Sequence, residues 1–238
     1  MSIRRPDEIH VWSIPLEHGD DVVARLAELL SPDERDRAAR FVFPRDRRRF
    51  TVARGAIRQI LAGYLSQAPS ALAFAYGPRG KPRLAQPAGL DFNLAHSHEL
   101  ALCAVTSGRP VGVDVEWLRP MPDLLSVARI AFSPAELAAL LAQPEADRLA
   151  TFFRCWTSKE AYIKARGDGL ALPLDAFDVS LAADQPPALL ANRLDPAEPS
   201  RWSLHALAPA DGYLGALAVP GPAVGRRLLS WSSEGKGS

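Results

Sequence analysis

Only two cysteines occur in 238 residues, Cys103 and Cys155, each inside an apolar run. Two cysteines support neither a disulfide framework nor a thiolate zinc site. Both read as buried thiols in a reducing compartment. No apolar run approaches the length that spans a bilayer. The opening residues Met1-Ser2-Ile3-Arg4-Arg5-Pro6 lead into acids rather than an apolar stretch, so no secretory leader is expected there. An excess of one charge is missing too. Lys and Arg total 28 against 27 Asp and Glu, a formal net charge of +1. Nothing global draws the chain to nucleic acid or to an acidic membrane. A cytoplasmic protein that binds neither is expected. What is present is 47% hydrophobic and 23% charged residues, an ordinary globular mixture long enough to bury a sizeable core.

The patterning alternates. Residues 9–14 read as a strand and 21–30 as an amphipathic helix. Ser31-Pro32-Asp33-Glu34 starts another helix, with serine as N-cap, proline first and acids in the first turn. Residues 50–65 form a longer helix, with Val52, Ala56, Ile57, Ile60, Leu61 and Tyr64 at helical spacing. A strand at 71–76 precedes the loop Gly77-Pro78-Arg79-Gly80-Lys81-Pro82. Segments 100–105 and 111–117 are β-rich, and Thr106-Ser107-Gly108-Arg109-Pro110 between them predicts a hairpin-like connection. The polar residues Ser232 to Ser238 are expected to fray.

This order then recurs about a hundred residues later. Ser133-Pro134-Ala135-Glu136 restates Ser31-Pro32-Asp33-Glu34, 152–166 restates the long helix, 176–179 the strand at 72–75, and 214–219 that at 100–105. Strand 9–12 then corresponds to 113–116. Two related halves, 1–110 and 111–238, are expected in an α/β (α+β) chain with a pseudo-twofold pair of similar α/β halves. An internal pair of this kind points to a monomer. The repeat is chemically uneven. His10 and Trp12 stand where the second half has Asp114 and Glu116, and Ala56-Ile57 where it has Lys159-Glu160. A ligand is expected in a cleft between the halves.

Five constellations could carry chemistry. In Gly112-Val113-Asp114-Val115-Glu116, strand alternation puts both carboxylates on one face. They repel, and a hard divalent cation such as magnesium would relieve them; taken alone, the pair reads more often as a solvated strand face, which is common for Asp-x-Glu. In Phe152-Phe153-Arg154-Cys155-Trp156-Thr157-Ser158-Lys159-Glu160-Ala161-Tyr162-Ile163-Lys164, helical spacing puts Trp156, Glu160 and Lys164 on one face. The bland reading is a surface ion pair above core aromatics. Phe92-Asn93-Leu94-Ala95-His96-Ser97-His98 offers phosphate donors at an element boundary, or a merely structural histidine. Gly80-Lys81-Pro82 is a cationic loop tip. Arg45-Asp46-Arg47-Arg48-Arg49, followed by Arg54 and Arg58, suits phosphate, though most of these arginines read as a solvated face.

Taken together, Gly-Lys-Pro, Phe-Asn-x-x-His-Ser, Gly-Val-Asp-Val-Glu and Trp-x-x-Lys-Glu-Ala-x-x-Lys, in that order across 31–174, resemble the Sfp-type 4′-phosphopantetheinyl transferases. The resemblance implies a pseudo-twofold α/β fold with coenzyme A between the halves. It implies a Mg2+ ion on Asp114, Glu116 and Glu160, Arg49 and His96 on the coenzyme's 3′-phosphate, Lys81 and Pro82 beside the adenine and phosphates, and Lys164 on the pyrophosphate. Gly80, Asn93, Ala95 and Lys159 join the coenzyme contacts by position. Ala95 departs from the family's frequent serine, and His98 from a frequent glycine.

The implied reaction moves phosphopantetheine from coenzyme A to a serine of an apo acyl or peptidyl carrier protein, releasing 3′,5′-ADP. Glu160 is the candidate base for the serine, and Lys164 the stabiliser of the departing phosphate. The carrier is expected to dock at Leu118-Arg119-Pro120-Met121-Pro122-Asp123-Leu124-Leu125, whose apolar side chains are kept for a partner or tucked into the core. An inactive carrier-binding relative and a magnesium-dependent nucleotide phosphohydrolase are the alternatives.

Overall fold

The computed structural model describes residues 3, 8–77, 80–86, 88–167, 172–222 and 225–234. Expectations on 1, 2, 4–7, Pro78, Arg79 and 235–238 lie outside the described residues. Two compact units result: Met1–Asp91 with His96–Gly108 and Gly225–Ser238, and Phe92–Ala95 with Arg109–Val224. The division differs from a single cut at 110 because the chain's end returns to the first unit and Phe92–Ala95 group with the second. The returning strand pairs in parallel with the first strand, and Trp231 donates its indole N–H to Gln59 at 3.0 Å.

The first unit runs β1 (Ile9–Pro15), α1 (Asp20–Glu28), α2 (Pro32–Ala39), α3 (Pro44–Leu65), a 3-10 turn, β2 (Phe74–Tyr76), β3 (Pro82–Leu84), the two ends of β4 (Leu90–Ser97), whose Phe92–Ala95 group with the second unit, and β5 (Leu100–Ser107). The second runs β6 (Gly112–Trp117), α4 (Leu124–Ala131), α5 (Pro134–Leu141), α6 (Glu145–Arg166), a 3-10 turn, β7 (Phe177–Val179), β8 (Leu189–Asn192), β9 (Trp202–Leu207) and β10 (Tyr213–Pro220). The helices and strands follow in the same order, with a further 3-10 turn (Glu198–Arg201) before β9, and the shared strands keep the same sheet order. The first sheet reads β11-β1-β5-β4, with β11 (Arg226–Ser230) added, and the second β6-β10-β9. β5 and β6 therefore belong to different sheets. The expected hairpin at 106–110 is absent, and the tight turn lies instead at His98-Glu99, between β4 and β5.

The repeat extends to charge. Ser31 and Ser133 both begin capping boxes, in which Glu34 and Glu136 reach back to the serine N–H at 3.0 and 2.9 Å. Each glutamate is then buried against a cation from the long helix. Glu34 takes Arg54, and Arg58 at 2.7 Å, while Glu136 takes Lys159 at 2.7 Å. Arg54 and Arg58 therefore stand apart from the solvated face expected of most of these arginines, because a buried carboxylate demands a partner. α3 and α6 have 22 residues each. Aligning their starts sets Arg58-Gln59 against Lys159-Glu160, not Ala56-Ile57. α3 starts before residue 50 because Pro44 opens it at the first position.

Candidate functional site

Asp114 lies midway along β6 and is buried, whereas Glu116 on the same strand and Glu160 on α6 are half-buried. Gly112 sets how closely strand and helix approach. A Cβ there would stand 2.0 Å from the Ala161 carbonyl oxygen and 2.4 Å from the Ala165 nitrogen. With no side chain in the way, β6 closes on α6, and Lys164 donates to Asp114 Oδ1 at 2.6 Å. Asp114 Oδ2 is buried with no hydrogen-bond partner. Burial pushes the Asp114 carboxyl up to about 7. The Lys164 ammonium opposes that rise, and the charges of Glu160 and Glu116 add to it. An orphaned anionic oxygen amid further carboxylates suits a hard divalent cation held by Asp114, Glu116 and Glu160. The three are not drawn into a ready cluster: among the described residues no group of three or more His, Cys, Asp or Glu could hold a metal ion. Glu116 instead meets Arg119 at 3.2 Å. At the equivalent places in the first unit, His10 and Trp12 converge on the Tyr64 hydroxyl at 2.5 and 2.9 Å, with Glu8 3.6 Å from the far side of the His10 ring.

In the first unit, Arg49 on α3 reaches Glu17 at 2.6 Å. His96 is exposed at the end of β4, and His98 follows at φ 52°. That left-handed backbone is where glycine costs least. The motif expected at an element boundary is thus mostly strand. Ala95 points into the core. Gly80, at φ 77°, turns the chain between β2 and β3, and Pro82 opens β3 opposite Tyr76. A depression of about 630 Å³ is lined by Asp33, Asp36, Arg37, Arg40, Tyr76 and Gly80.

Two expected coenzyme contacts have other work. Lys159 is wholly buried, and its ammonium donates to the Leu174 and Phe177 carbonyls at 2.8 and 2.6 Å besides pairing with Glu136. Asn93 is buried, and its Oδ1 accepts the Val113 N–H at 2.9 Å, tying down the side of β6 that faces away from β10. The docking loop is corrected as well. Leu124 is buried, and Leu118, Met121 and Leu125 pack against the core of the second unit. The exposed apolar side chain nearby is Ile130 on α4, at 82% exposure.

Residues 110–218 match the family described as the 4′-phosphopantetheinyl transferase superfamily, and 18–108 match the 4′-phosphopantetheinyl transferase N-terminal family. The 4′-phosphopantetheinyl transferase HetI of Nostoc sp. is 46% identical over 90% of this chain and 89% of that protein. The chain belongs to the 4′-phosphopantetheinyl transferase superfamily. It is also 32% identical to the 4′-phosphopantetheinyl transferase Sfp of Bacillus subtilis, over 67% of this chain and 70% of that one. A crystal structure of Thermotoga maritima holo-acyl-carrier-protein synthase is similar over 50% of this chain and 64% of that chain, at 20% identity and a TM-score of 0.36.

The activity of this phosphopantetheinyl transferase is transfer of the phosphopantetheinyl group, and its residues divide into those that serve that reaction and those that hold the fold. Arg37, Arg40 and Tyr76, which line the depression, were not singled out from the sequence. Arg37 lies in the last turn of α2 and Arg40 caps its end, a spacing that does not by itself mark a site. Lys159 belongs to the fold. Lys159→Met should cost about 3–5 kcal/mol, because it strands the buried Glu136 charge. Urea denaturation should show that loss, while the residual folded enzyme keeps the wild-type KM for coenzyme A. A raised KM at unchanged stability would return Lys159 to the coenzyme.

Proposed function

We propose that the enzyme moves the phosphopantetheine arm of coenzyme A onto a serine of an apo acyl or peptidyl carrier protein, with magnesium on Asp114, Glu116 and Glu160. The observation that carries this reading is the buried, partnerless Oδ2 of Asp114, beside two further carboxylates and Lys164. The ion, when bound, neutralises charge that builds on the pyrophosphate oxygens. Lys164, whose ammonium is already aimed at the acids, stabilises the departing phosphate. Glu160, half-buried one helical turn before Lys164, takes the serine proton. Buried Ala161, Tyr162 and Ile163 fix this stretch of α6, so both groups are presented from a rigid helix. The net charge of the reacting groups explains why carboxylates and a lysine are placed together. The leaving group, 3′,5′-ADP, departs with an added negative charge on its phosphate, which Lys164 faces and a bound ion would help to offset.

Arg49 and His96 take the 3′-phosphate, and Lys81 and Pro82 flank the adenine and the remaining phosphates, next to Gly80, which also lines the depression at Arg37, Arg40 and Tyr76 with Asp33 and Asp36. Arg49→Ala and His96→Ala should each raise the KM for coenzyme A roughly tenfold to a hundredfold, the loss of a charged hydrogen bond. The KM for 3′-dephospho-coenzyme A should barely move. Equal losses for both substrates would remove the 3′-phosphate assignment.

The carrier docks on the exposed face of α4, where Ile130 stands beside the exposed Arg129. Carriers present an acidic surface, and an apolar anchor ringed by a cation complements it. Ile130→Glu should raise the KM for the carrier at least tenfold, without changing the affinity for coenzyme A. An unchanged carrier KM would move the docking surface elsewhere.

A further inference from the structure

Arg49 is bracketed by acids. Its Nε donates to Glu17 Oε1 at 2.6 Å, and its Nη2 lies 3.5 Å from Glu99 Oε1. A backbone hydrogen bond from the Leu16 N–H to the Glu99 carbonyl, at 2.8 Å, keeps the two acidic segments side by side. Glu99 Oε1 is also 3.3 Å from His98 Nε2. The Arg49 side chain is 13% exposed, while those of Glu17 and Glu99 are 50% and 53% exposed. The arginine is therefore held in place, whereas the half-exposed acids have room to swing into solvent.

Nε and Nη2 form one edge of the guanidinium, an edge that can grip a phosphate with two parallel hydrogen bonds. Here two carboxylates occupy it. One cation between two anions carries a net charge of −1, so a phosphate gains little there until a carboxylate leaves. We infer that Glu17 and Glu99 are internal competitors for the phosphate site on Arg49. They set how tightly the 3′-phosphate is held, in the coenzyme and in the released 3′,5′-ADP alike. This rests on the assignment of Arg49 to the 3′-phosphate. Its consequence is a restraint on affinity: a nucleotide product bearing the same phosphate as the substrate is let go because two carboxylates are waiting to replace it. A positioning role would have the opposite sign, since acids that merely hold Arg49 in place would weaken binding when neutralised.

The test uses the intact enzyme with E17Q/E99Q, R49A and the triple variant. Measured are KM for coenzyme A and for 3′-dephospho-coenzyme A, and inhibition by 3′,5′-ADP. E17Q/E99Q should lower the KM for coenzyme A and the inhibition constant of 3′,5′-ADP about fivefold, the combined effect of two exposed ion pairs. 3′-Dephospho-coenzyme A should be nearly unaffected. In the R49A background the same two changes should do nothing. If R49A raises the KM for coenzyme A selectively but E17Q/E99Q leaves it unchanged or raises it, the competitor role is overturned while Arg49 keeps its assignment. If R49A affects both substrates equally, the assignment fails and the inference falls with it. Matching far-ultraviolet circular dichroism of all variants excludes loss of fold as the cause.

Discussion

Gly112→Ala is expected to disrupt the second unit. The added Cβ would meet backbone atoms of α6 at 2.0 and 2.4 Å, and a helix backbone fixed by hydrogen bonds cannot yield as a side chain tip does. Relief requires β6 and α6 to separate, which breaks their packing seam and pulls Lys164 from Asp114. Overpacking alone typically costs about 1–3 kcal/mol, and backbone displacement adds to it. A loss of about 4 kcal/mol or more is expected, a large part of a domain's net stability. Gly63→Ala provides the contrast. Nothing lies within 4 Å of where its Cβ would stand, and the residue sits inside α3. That change should stabilise by about 0.5–1 kcal/mol, through helix propensity. Urea denaturation of both variants reads the two signs. A Gly112→Ala protein as stable as wild type would mean that β6 and α6 do not approach this closely.

Asp114→Asn should abolish transfer while making the metal-free protein more stable at neutral pH. The Asp114 carboxyl titrates near 7 in the folded protein, raised mainly by burial, against about 4 in an unfolded chain. Between those values the folded state binds a proton that the unfolded state has released. Stability therefore falls as pH rises through that window, and is level above it. The amide of the variant does not titrate. With chelator present, the variant's melting temperature should therefore draw ahead of wild type between about pH 4 and 7, then keep a constant lead. Added Mg2+ should raise the melting temperature of wild type and not of the variant. Equal stabilisation of both by Mg2+ would remove the ion from Asp114.

Much of this was legible in the sequence, for reasons that can be named. Ser-Pro-x-Glu is a local code: its serine, proline and glutamate act within one helical turn, so both capping boxes could be read without tertiary knowledge. Asp114 and Glu116 share a face because strand alternation is also local. What escaped was long-range. Lys159 adjoins Glu160 in sequence, and only the fold distinguishes a buried counter-ion for Glu136 from a surface contact. Arg54 and Arg58 looked like a solvated run because their partner, Glu34, lies on another helix. β4 was missed because Leu90 to Ser97 mixes polar and apolar residues without clean alternation, its buried Asn93 serving β6 rather than its own sheet. The wrong hairpin at 106–110 arose because two adjacent β-rich segments pair with different strands. The repeat implied as much, since β5 and β10 are equivalent, and β1 and β6 are equivalent. The return of β11 to the first unit has no local signal, because parallel pairing joins distant segments.

The proposed role of the β6 and α6 acids in phosphopantetheine transfer is tested most directly by intact-mass spectrometry of an apo carrier protein. The carrier is incubated with coenzyme A, Mg2+ and either the wild-type enzyme or Asp114→Asn. The wild-type reaction should add the mass of one phosphopantetheine group to the carrier, mutating the carrier's acceptor serine should remove the gain, and Asp114→Asn should leave the carrier unmodified. An unmodified carrier alongside hydrolysed coenzyme would select a phosphohydrolase, an unmodified carrier with intact coenzyme would select a binding protein, and full modification by Asp114→Asn would contradict the role given to the acids.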